Sequence, residues 1–320
     1  MVAPLPLPFT GPWLLAPMEG VTEPCFRDLV LARHEPADLG GAFTEFVRVT
    51  HYPVPTRRLR AHLGPRRFEI PVGIQLMGAD AGRVAETARN AREAGAPLVD
   101  LNFGCPAKGA LRGCAGSAML DDPPSVEALV RQCADAVVDV PVTAKIRAGG
   151  EDDALLEDLA RAAEAGGASL LTVHCRTRRE GYRDTADWER LRRAVGAVGI
   201  PVCGNGGIET HADLQRLRAE TGCAYAMVGR AALADPWIFS GRRVDRGEAA
   251  QFLLEYARDL METGAGPRGA AGRVKQLLGH WSAGDLVGGE RSSWLRERDP
   301  QALLERLARS LPSAASAPGT

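Results

Sequence analysis

Cys105 stands where an apolar run stops. The run Val99-Asp100-Leu101-Asn102-Phe103 reads as a buried strand and ends at Gly104-Cys105-Pro106, where proline cannot continue a hydrogen-bonded ladder. One thiol is thereby set at a strand end, flanked by the Asn102 amide and the Lys108 ammonium. A thiol held there can give a proton to a planar substrate or attack it. The competing reading is a small buried residue filling a turn. Cation usage adds a second clue, since the chain has 36 arginines and only three lysines: Lys108, Lys145 and Lys275. Lysine and arginine differ where a compact point charge is needed. Lys145 closes the apolar run Val142-Thr143-Ala144-Lys145-Ile146.

The elements that must carry these groups follow from periodicity. Short apolar runs recur at 13–16, 42–46, 72–77, 98–101, 142–146, 170–174, 200–204 and 224–228. Between them lie stretches with a 3.6-residue period, as at 80–94, 125–138, 154–165 and 211–220. Several end in glycine (Gly95, Gly166, Gly222), as a helix C-terminus does. Eight strand–helix alternations predict a parallel (β/α)8 barrel. A doubly wound sheet is the rival, but no G-x-G-x-x-G follows the first strand; Pro17-Met18-Glu19-Gly20 stands there instead. Barrel chemistry gathers where strands end. The strand ends carry Pro17-Met18, Glu45, Gln75, Asn102 with Cys105, Lys145, His174, Asn205 and Gly229-Arg230.

Asn205-Gly206-Gly207 closes the seventh strand and Gly229-Arg230 the eighth. Glycines at that corner let backbone N–H groups reach a phosphate. Gln75, Lys145 and His174 then point into the mouth above it. An amide, a point cation and an imidazole can read the carbonyls and ring nitrogens of a flat heterocycle. A lysine near the N1–C2 edge of a flavin would stabilise its anionic reduced form. This pattern predicts FMN, with one phosphate, rather than a dinucleotide.

The 320 residues suffice for one barrel and a small appendage. Hydrophobic content of 45%, charged content of 25% and net charge −1 are those of a soluble globular chain without a global basic field. Seven dispersed cysteines, without a C-x-x-C pair, suit neither a disulfide framework nor a zinc site. No metal is expected. The proline-rich start is not a signal peptide, and no run is long enough to span a bilayer, so a cytoplasmic location is expected. The expected organisation is a barrel over 1–245, an all-helical domain over 246–311 (helices at 247–263, 270–282 and 299–310), and a disordered tail over 312–320.

Together these segments resemble the tRNA-dihydrouridine synthases. The matching pieces are Leu15-Ala16-Pro17-Met18-Glu19-Gly20-Val21, Thr44-Glu45-Phe46-Val47-Arg48, Gln75-Leu76-Met77-Gly78 and Asn102-Phe103-Gly104-Cys105-Pro106-Ala107-Lys108. They continue through Ala144-Lys145-Ile146-Arg147, His174-Cys175-Arg176-Thr177, Gly181-Tyr182, Asn205-Gly206 and Val228-Gly229-Arg230-Ala231-Ala232-Leu233. The resemblance implies an FMN-binding barrel with a C-terminal helical domain, reducing the C5–C6 bond of a tRNA uridine with electrons from NADPH. It implies Cys105 as proton donor and Asn102 against the uracil. It implies Pro17, Met18, Glu19, Gln75, Lys145, His174, Asn205, Gly206, Gly207, Gly229 and Arg230 around FMN. The likeness is to the C-type subfamily, which acts on D-loop uridine 16. Arg48, Arg273, Lys275 and His280 match its RNA-orienting positions, although tyrosine is expected where His280 stands. Cys114, Ala115, Ala148-Gly149-Gly150-Glu151 and Gly207 depart from the family pattern.

Any tRNA must be gripped locally. The segment 48–67 carries six arginines, His51 and His62, and no acid. The segment 176–193 carries seven arginines against four acids. Either could rim the mouth and hold phosphates, with Lys108, Arg176 and Arg178 on the RNA side. A solvated arginine-rich surface is the plainer reading of the second segment. A monomer is expected. Two other functions stay open: an FMN-dependent reductase of a small molecule, and a non-catalytic RNA-binding paralogue.

Overall fold

The computed structural model describes residues 5–65, 68–183 and 185–312. The tail expectation, beyond Pro312, and Arg66 and Arg67 of the first arginine-rich segment lie outside the described residues. The chain divides into two compact units, Met1–Pro24 with Glu35–Gly229, and Cys25–His34 with Arg230–Thr320.

The first unit is a barrel. Its strands are β1 (Trp13–Leu15), β2 (Gly41–Arg48), β3 (Val72–Met77), β4 (Val99–Phe103), β5 (Val142–Arg147), β6 (Leu170–His174), β7 (Val202–Asn205) and β8 (Tyr225–Val228). Each pairs in parallel with the next, and β8 returns to β1, so the sheet closes. Closure leaves no strand edge to protect. In chain order the helices through the barrel are α1 (Pro24–Leu31), α2 (Thr56–Leu63), α3 (Ala81–Ala94), α4 (Lys108–Arg112), α5 (Pro123–Ala136), α6 (Leu156–Ala165), α7 (Glu189–Ala197) and α8 (His211–Thr221). Of these, α1 belongs to the second unit.

Local chemistry explains the helix limits. Asp80 caps α3 by accepting from the Arg83 N–H, and Gly95 ends it at φ 94°. Thr210 and Asp213 close a capping box on α8. Helix α5 starts earlier than its periodicity suggests, because prolines are favoured in a first turn. Gly166 follows α6 in a right-handed conformation, and Gly167 takes the positive φ instead.

The barrel core combines Leu14, Ala16, Phe43, Leu98, Leu170, Cys203 and Met227. One irregularity sits beside it. Phe43 pairs with Gly73 but Phe46 pairs with Gln75, so β2 bulges at Thr44-Glu45. Bulges re-aim side chains next to sites. Here Thr44 Oγ1 accepts from the Gln75 N–H at 3.1 Å, and Glu45 Oε1 accepts from the Val21 N–H at 3.0 Å.

The second unit is helical. It adds α9 (Arg230–Ala234), α10 (Arg246–Glu262), α11 (Pro267–Leu278), α12 (Arg291–Arg296) and α13 (Pro300–Ala308) to α1. Its aromatic core explains why α1 joins it. Phe26 packs edge-on against Phe252 and Tyr256, and Phe252 also meets Trp237 and Trp281. Arg33 pairs with Glu255 at 2.6 Å. The division of the chain thus falls at Gly229/Arg230, with 25–34 on the helical side, rather than at 245/246. A short helix early in a barrel sequence carries no local sign of which core it will join. Among the described residues, no helix is long and apolar enough to cross a membrane.

Candidate active site

Strand register stacks the polar residues of the barrel in rows. Gln75 lies beside Asp100, and Asp100 beside Thr143. Asn102 lies beside Lys145, and Lys145 beside Thr172. Arg147, His174 and Asn205 form a row nearer the strand ends. Barrel interiors are ordinarily filled by branched apolar side chains, so buried Gln75, Asp100 and Thr143 mark a specialised region.

The rows are joined by hydrogen bonds. Gln75 Nε2 donates to Asp100 Oδ2 at 2.6 Å, and Thr143 Oγ1 donates to Asp100 Oδ1 at 2.6 Å. Asn102 Nδ2 donates to Gln75 Oε1 at 2.7 Å. Asn102 Oδ1 then accepts from the backbone N–H groups of Gly104 and Cys105, both at 3.0 Å. Burial raises the Asp100 carboxyl to about 6, although its hydrogen bonds and Lys145 pull it down. Burial lowers the Lys145 ammonium to about 8, Arg147 adds repulsion, and Asp100 draws it back up.

Cys105 follows the end of β4 and is half-buried. Its carbonyl accepts from the N–H of Ser117 at 3.1 Å and from Ser117 Oγ at 2.9 Å. Its side chain packs against a small apolar cluster of Met77, Ala110 and Ala115. Gly116 closes that turn at φ 60°, where a Cβ would lie 2.9 Å from the Cys105 carbonyl oxygen. The preceding carbonyl, of Gly104, accepts from Arg147 Nε at 2.9 Å. Arg147 also donates to the carbonyls of Thr177 and Gly181, and stacks over Tyr182 at 5.0 Å. The Tyr182 ring meets His174 edge-on at 5.8 Å and is half-exposed.

On the other side, Lys145 Nζ donates to Asn205 Oδ1 at 3.1 Å, and Asn205 Nδ2 donates to the Met227 carbonyl at 2.8 Å. Gly206 continues at φ 105°, so tightly placed that a Cβ would lie 2.9 Å from Cys175 Sγ and 3.4 Å from His174 Nε2. Its carbonyl accepts from Trp188 Nε1 at 3.0 Å, and Gly207 follows, also at positive φ. Arg176 lies buried beside Gly206, its Nη1 3.5 Å from that Cβ position. Half-buried Pro17 and Met18 follow β1; the Met18 N–H donates to Thr22 Oγ1, and Met18 Sδ approaches Gly229. Glu19 is exposed. Arg230 opens α9 and is exposed.

These features fit a flavin mononucleotide by their donor chemistry. A glycine turn that tolerates no side chain and a buried guanidinium beside it suit a phosphate. Amides, a lysine and an imidazole suit a polar ring system. Among the described residues, no group of three or more His, Cys, Asp and Glu side chains could hold a metal ion.

The other candidate residues are dispersed. Exposed Arg48 ends β2 and stacks over Phe46 at 5.6 Å, and its Nη1 lies near Gly109 of α4. Lys108 begins α4, exposed. Arg57, Arg58 and Arg60 ride on α2, where Arg60 bonds the Glu93 carbonyl. The second arginine-rich segment is largely paired with acids. Arg178 holds Asp121 at 2.8 Å and the Ser117 carbonyl at 2.8 Å, Arg190 holds Glu180 and Asp153, and Arg193 holds Glu157. In the helical unit, Arg273 Nε donates to Tyr256 Oη at 3.1 Å, Lys275 Nζ donates to the Glu297 carbonyl, and His280 is exposed. Asp100, Thr143 and Ser117 join the site without a motif that marks them, and Arg147 and Tyr182 take a part in it that their motifs alone do not assign. An acid inside an apolar strand was the available signal for Asp100.

A closed eight-stranded parallel barrel whose polar side chains converge near the strand ends is the architecture of an enzyme. The family model described as dihydrouridine synthase (Dus) matches residues 14–263, and the chain belongs to this family. A tRNA-dihydrouridine(16) synthase of Cupriavidus necator is 35% identical, covering 95% of this chain and 98% of that protein. One of Aquipseudomonas alcaligenes is 36% identical over 82% and 88%, and one of Pseudomonas syringae pv. tomato is 39% identical over 69% and 71%.

Proposed function

We propose that this dihydrouridine synthase reduces the C5–C6 bond of a D-loop uridine in tRNA, at position 16, with FMN as cofactor and NADPH as electron donor. The carrying observation is the Asn102–Cys105 turn: a thiol after β4, tied through Asn102 and Gln75 to the barrel interior that holds Lys145. Pro17, Met18, Gln75, Lys145, His174, Asn205, Gly206, Gly207, Gly229 and Arg230 would hold FMN, and Glu19 would lie at its border. When bound, the flavin supplies the hydride that reaches C6 of the uracil.

The protein's own groups do the rest. Negative charge develops at C5 and O4 of the pyrimidine, and the Cys105 thiol gives its proton to C5. Asn102 contacts the uracil. Tyr182, half-exposed between Arg147 and His174, offers a flat face for the extruded base. Flipping a base out of folded RNA costs a few kcal/mol. Contacts to phosphates by Arg48, Lys108, Arg273, Lys275 and His280 offset that cost, so free uridine should be a very poor substrate. Arg176, buried beside Gly206, would face the phosphate, and Arg178 shapes the neighbouring turn through the Ser117 carbonyl and Asp121. The names of the relatives support position 16.

The test is deletion of the gene, followed by mapping of dihydrouridine across total RNA. Loss at D-loop position 16, restored by the wild-type gene and not by Cys105→Ala, is expected. An unchanged map would overturn the assignment.

A further inference from the structure

We infer that Asp100 is a positioning residue, which sets the direction of the hydrogen-bond chain through Gln75 and Asn102 to the turn that carries Cys105. The inference rests on Cys105 being the proton donor, because that reading makes the setting of the turn matter.

The two ends of this chain run one way only. An ionised carboxylate accepts and never donates, whereas a backbone N–H donates and never accepts. Between them stand two side-chain amides, each of which could present oxygen or nitrogen to either neighbour; partners decide which. Asp100 requires the NH2 of Gln75, at 2.6 Å. That turns Gln75 Oε1 toward Asn102, which must answer with its own NH2, at 2.7 Å. Asn102 Oδ1 is left facing the Gly104 and Cys105 N–H groups, as they require, at 3.0 Å each. Asp100 is 1% exposed and Gln75 0%, so a mismatch here would leave buried polar groups unpaired. Thr143 donates to the second oxygen of Asp100 at 2.6 Å. Ser117 holds the carbonyl side of Cys105, so the relay governs the opposite, N–H side.

An isosteric double-mutant cycle tests this. In Asp100→Asn, the new carbonyl still accepts from Gln75, and the new NH2 faces Thr143 Oγ1, which has lone pairs to receive it. In Asn102→Asp, Gln75 stands between two carboxylates that both demand its single NH2 group. Combining the two reverses the whole chain with every group paired. Thr143 donates to the new amide oxygen at position 100, the NH2 there donates to Gln75 Oε1, and Gln75 Nε2 donates to the acid at position 102, which still accepts from Gly104 and Cys105. The swap also conserves the charge near Lys145, whose partner in register is residue 102.

The readouts are amide hydrogen exchange at Gly104 and Cys105 and the rate of Cys105 alkylation by iodoacetamide, with and without FMN. Asn102→Asp should accelerate exchange about tenfold or more, Asp100→Asn by about threefold or less, and the double variant should return to within about threefold of wild type. A buried acid that merely fills space predicts additive effects. A double variant exchanging as fast as Asn102→Asp alone overturns the relay, and leaves the proton-donor reading standing. Turnover retained by Cys105→Ala would instead remove the proton-donor reading, while the cycle would still report on the relay.

Discussion

Cys105 is held at both of its backbone polar groups, by Asn102 at the N–H and by Ser117 at the carbonyl. Truncating the side chain leaves both anchors in place. Cys105→Ala should therefore keep its fold and its FMN while losing about 10²- to 10⁴-fold in turnover on tRNA, the usual worth of a positioned acid; flavin absorbance and single-turnover assays measure the two. Asp100 gives a pH signature. Its carboxyl is raised by burial to about 6, above the unfolded value of roughly 3.9. The folded chain then holds more protons than the unfolded chain between those values, so stability from this group falls as pH rises through that window. Denaturant titrations should show wild type losing stability relative to Asp100→Asn between about pH 4 and 6; an equal pH slope for the two proteins would contradict it. Gln75 and Lys145 were legible because each interrupts an apolar strand near its end. Asp100 interrupts an apolar strand as well, but near the start of β4 rather than its end, so the strand-end pattern passed over it.

At the scale of elements, the turn after β4 depends on a left-handed Gly116. A methyl there would lie 2.9 Å from the Cys105 carbonyl oxygen and 3.2 Å from Cys105 Cβ and Met77 Sδ. Gly116→Ala should cost about 1–3 kcal/mol and slow turnover without releasing FMN, measurable by thermal denaturation and kinetics. Arg178 ties the following 3-10 turn (Gly116–Asp121) through the Ser117 carbonyl and Asp121. Arg178→Ala should speed amide exchange over residues 116–121 and leave the salt dependence of tRNA binding unchanged; a shallower salt slope would show that it grips phosphate instead. Strand and helix positions were readable from periods of 2 and 3.6. The bulge at Thr44-Glu45 was not, since an inserted residue alters register without changing composition. Helix α2, which carries Arg57, Arg58 and Arg60, was likewise not readable, because Leu59 and Leu63 give only one short apolar face.

At the scale of the whole molecule, a net charge of −1 supplies no general attraction for RNA. Binding must rest on a few placed cations, each releasing counterions when it meets a phosphate. Affinity for tRNA should fall steeply with salt, and Arg48→Ala should reduce the log–log slope by about one while weakening binding across sequences; filter binding at several salt concentrations reads both. The most direct test of the account follows flavin reoxidation in a single turnover. Wild type and Cys105→Ala are each loaded with FMN, reduced by NADPH and mixed with unmodified tRNA. Both should accept electrons from NADPH, tRNA should rapidly reoxidise only the wild type, and dihydrouridine should then sit at D-loop position 16. Equal reoxidation and equal product in the alanine variant would contradict it.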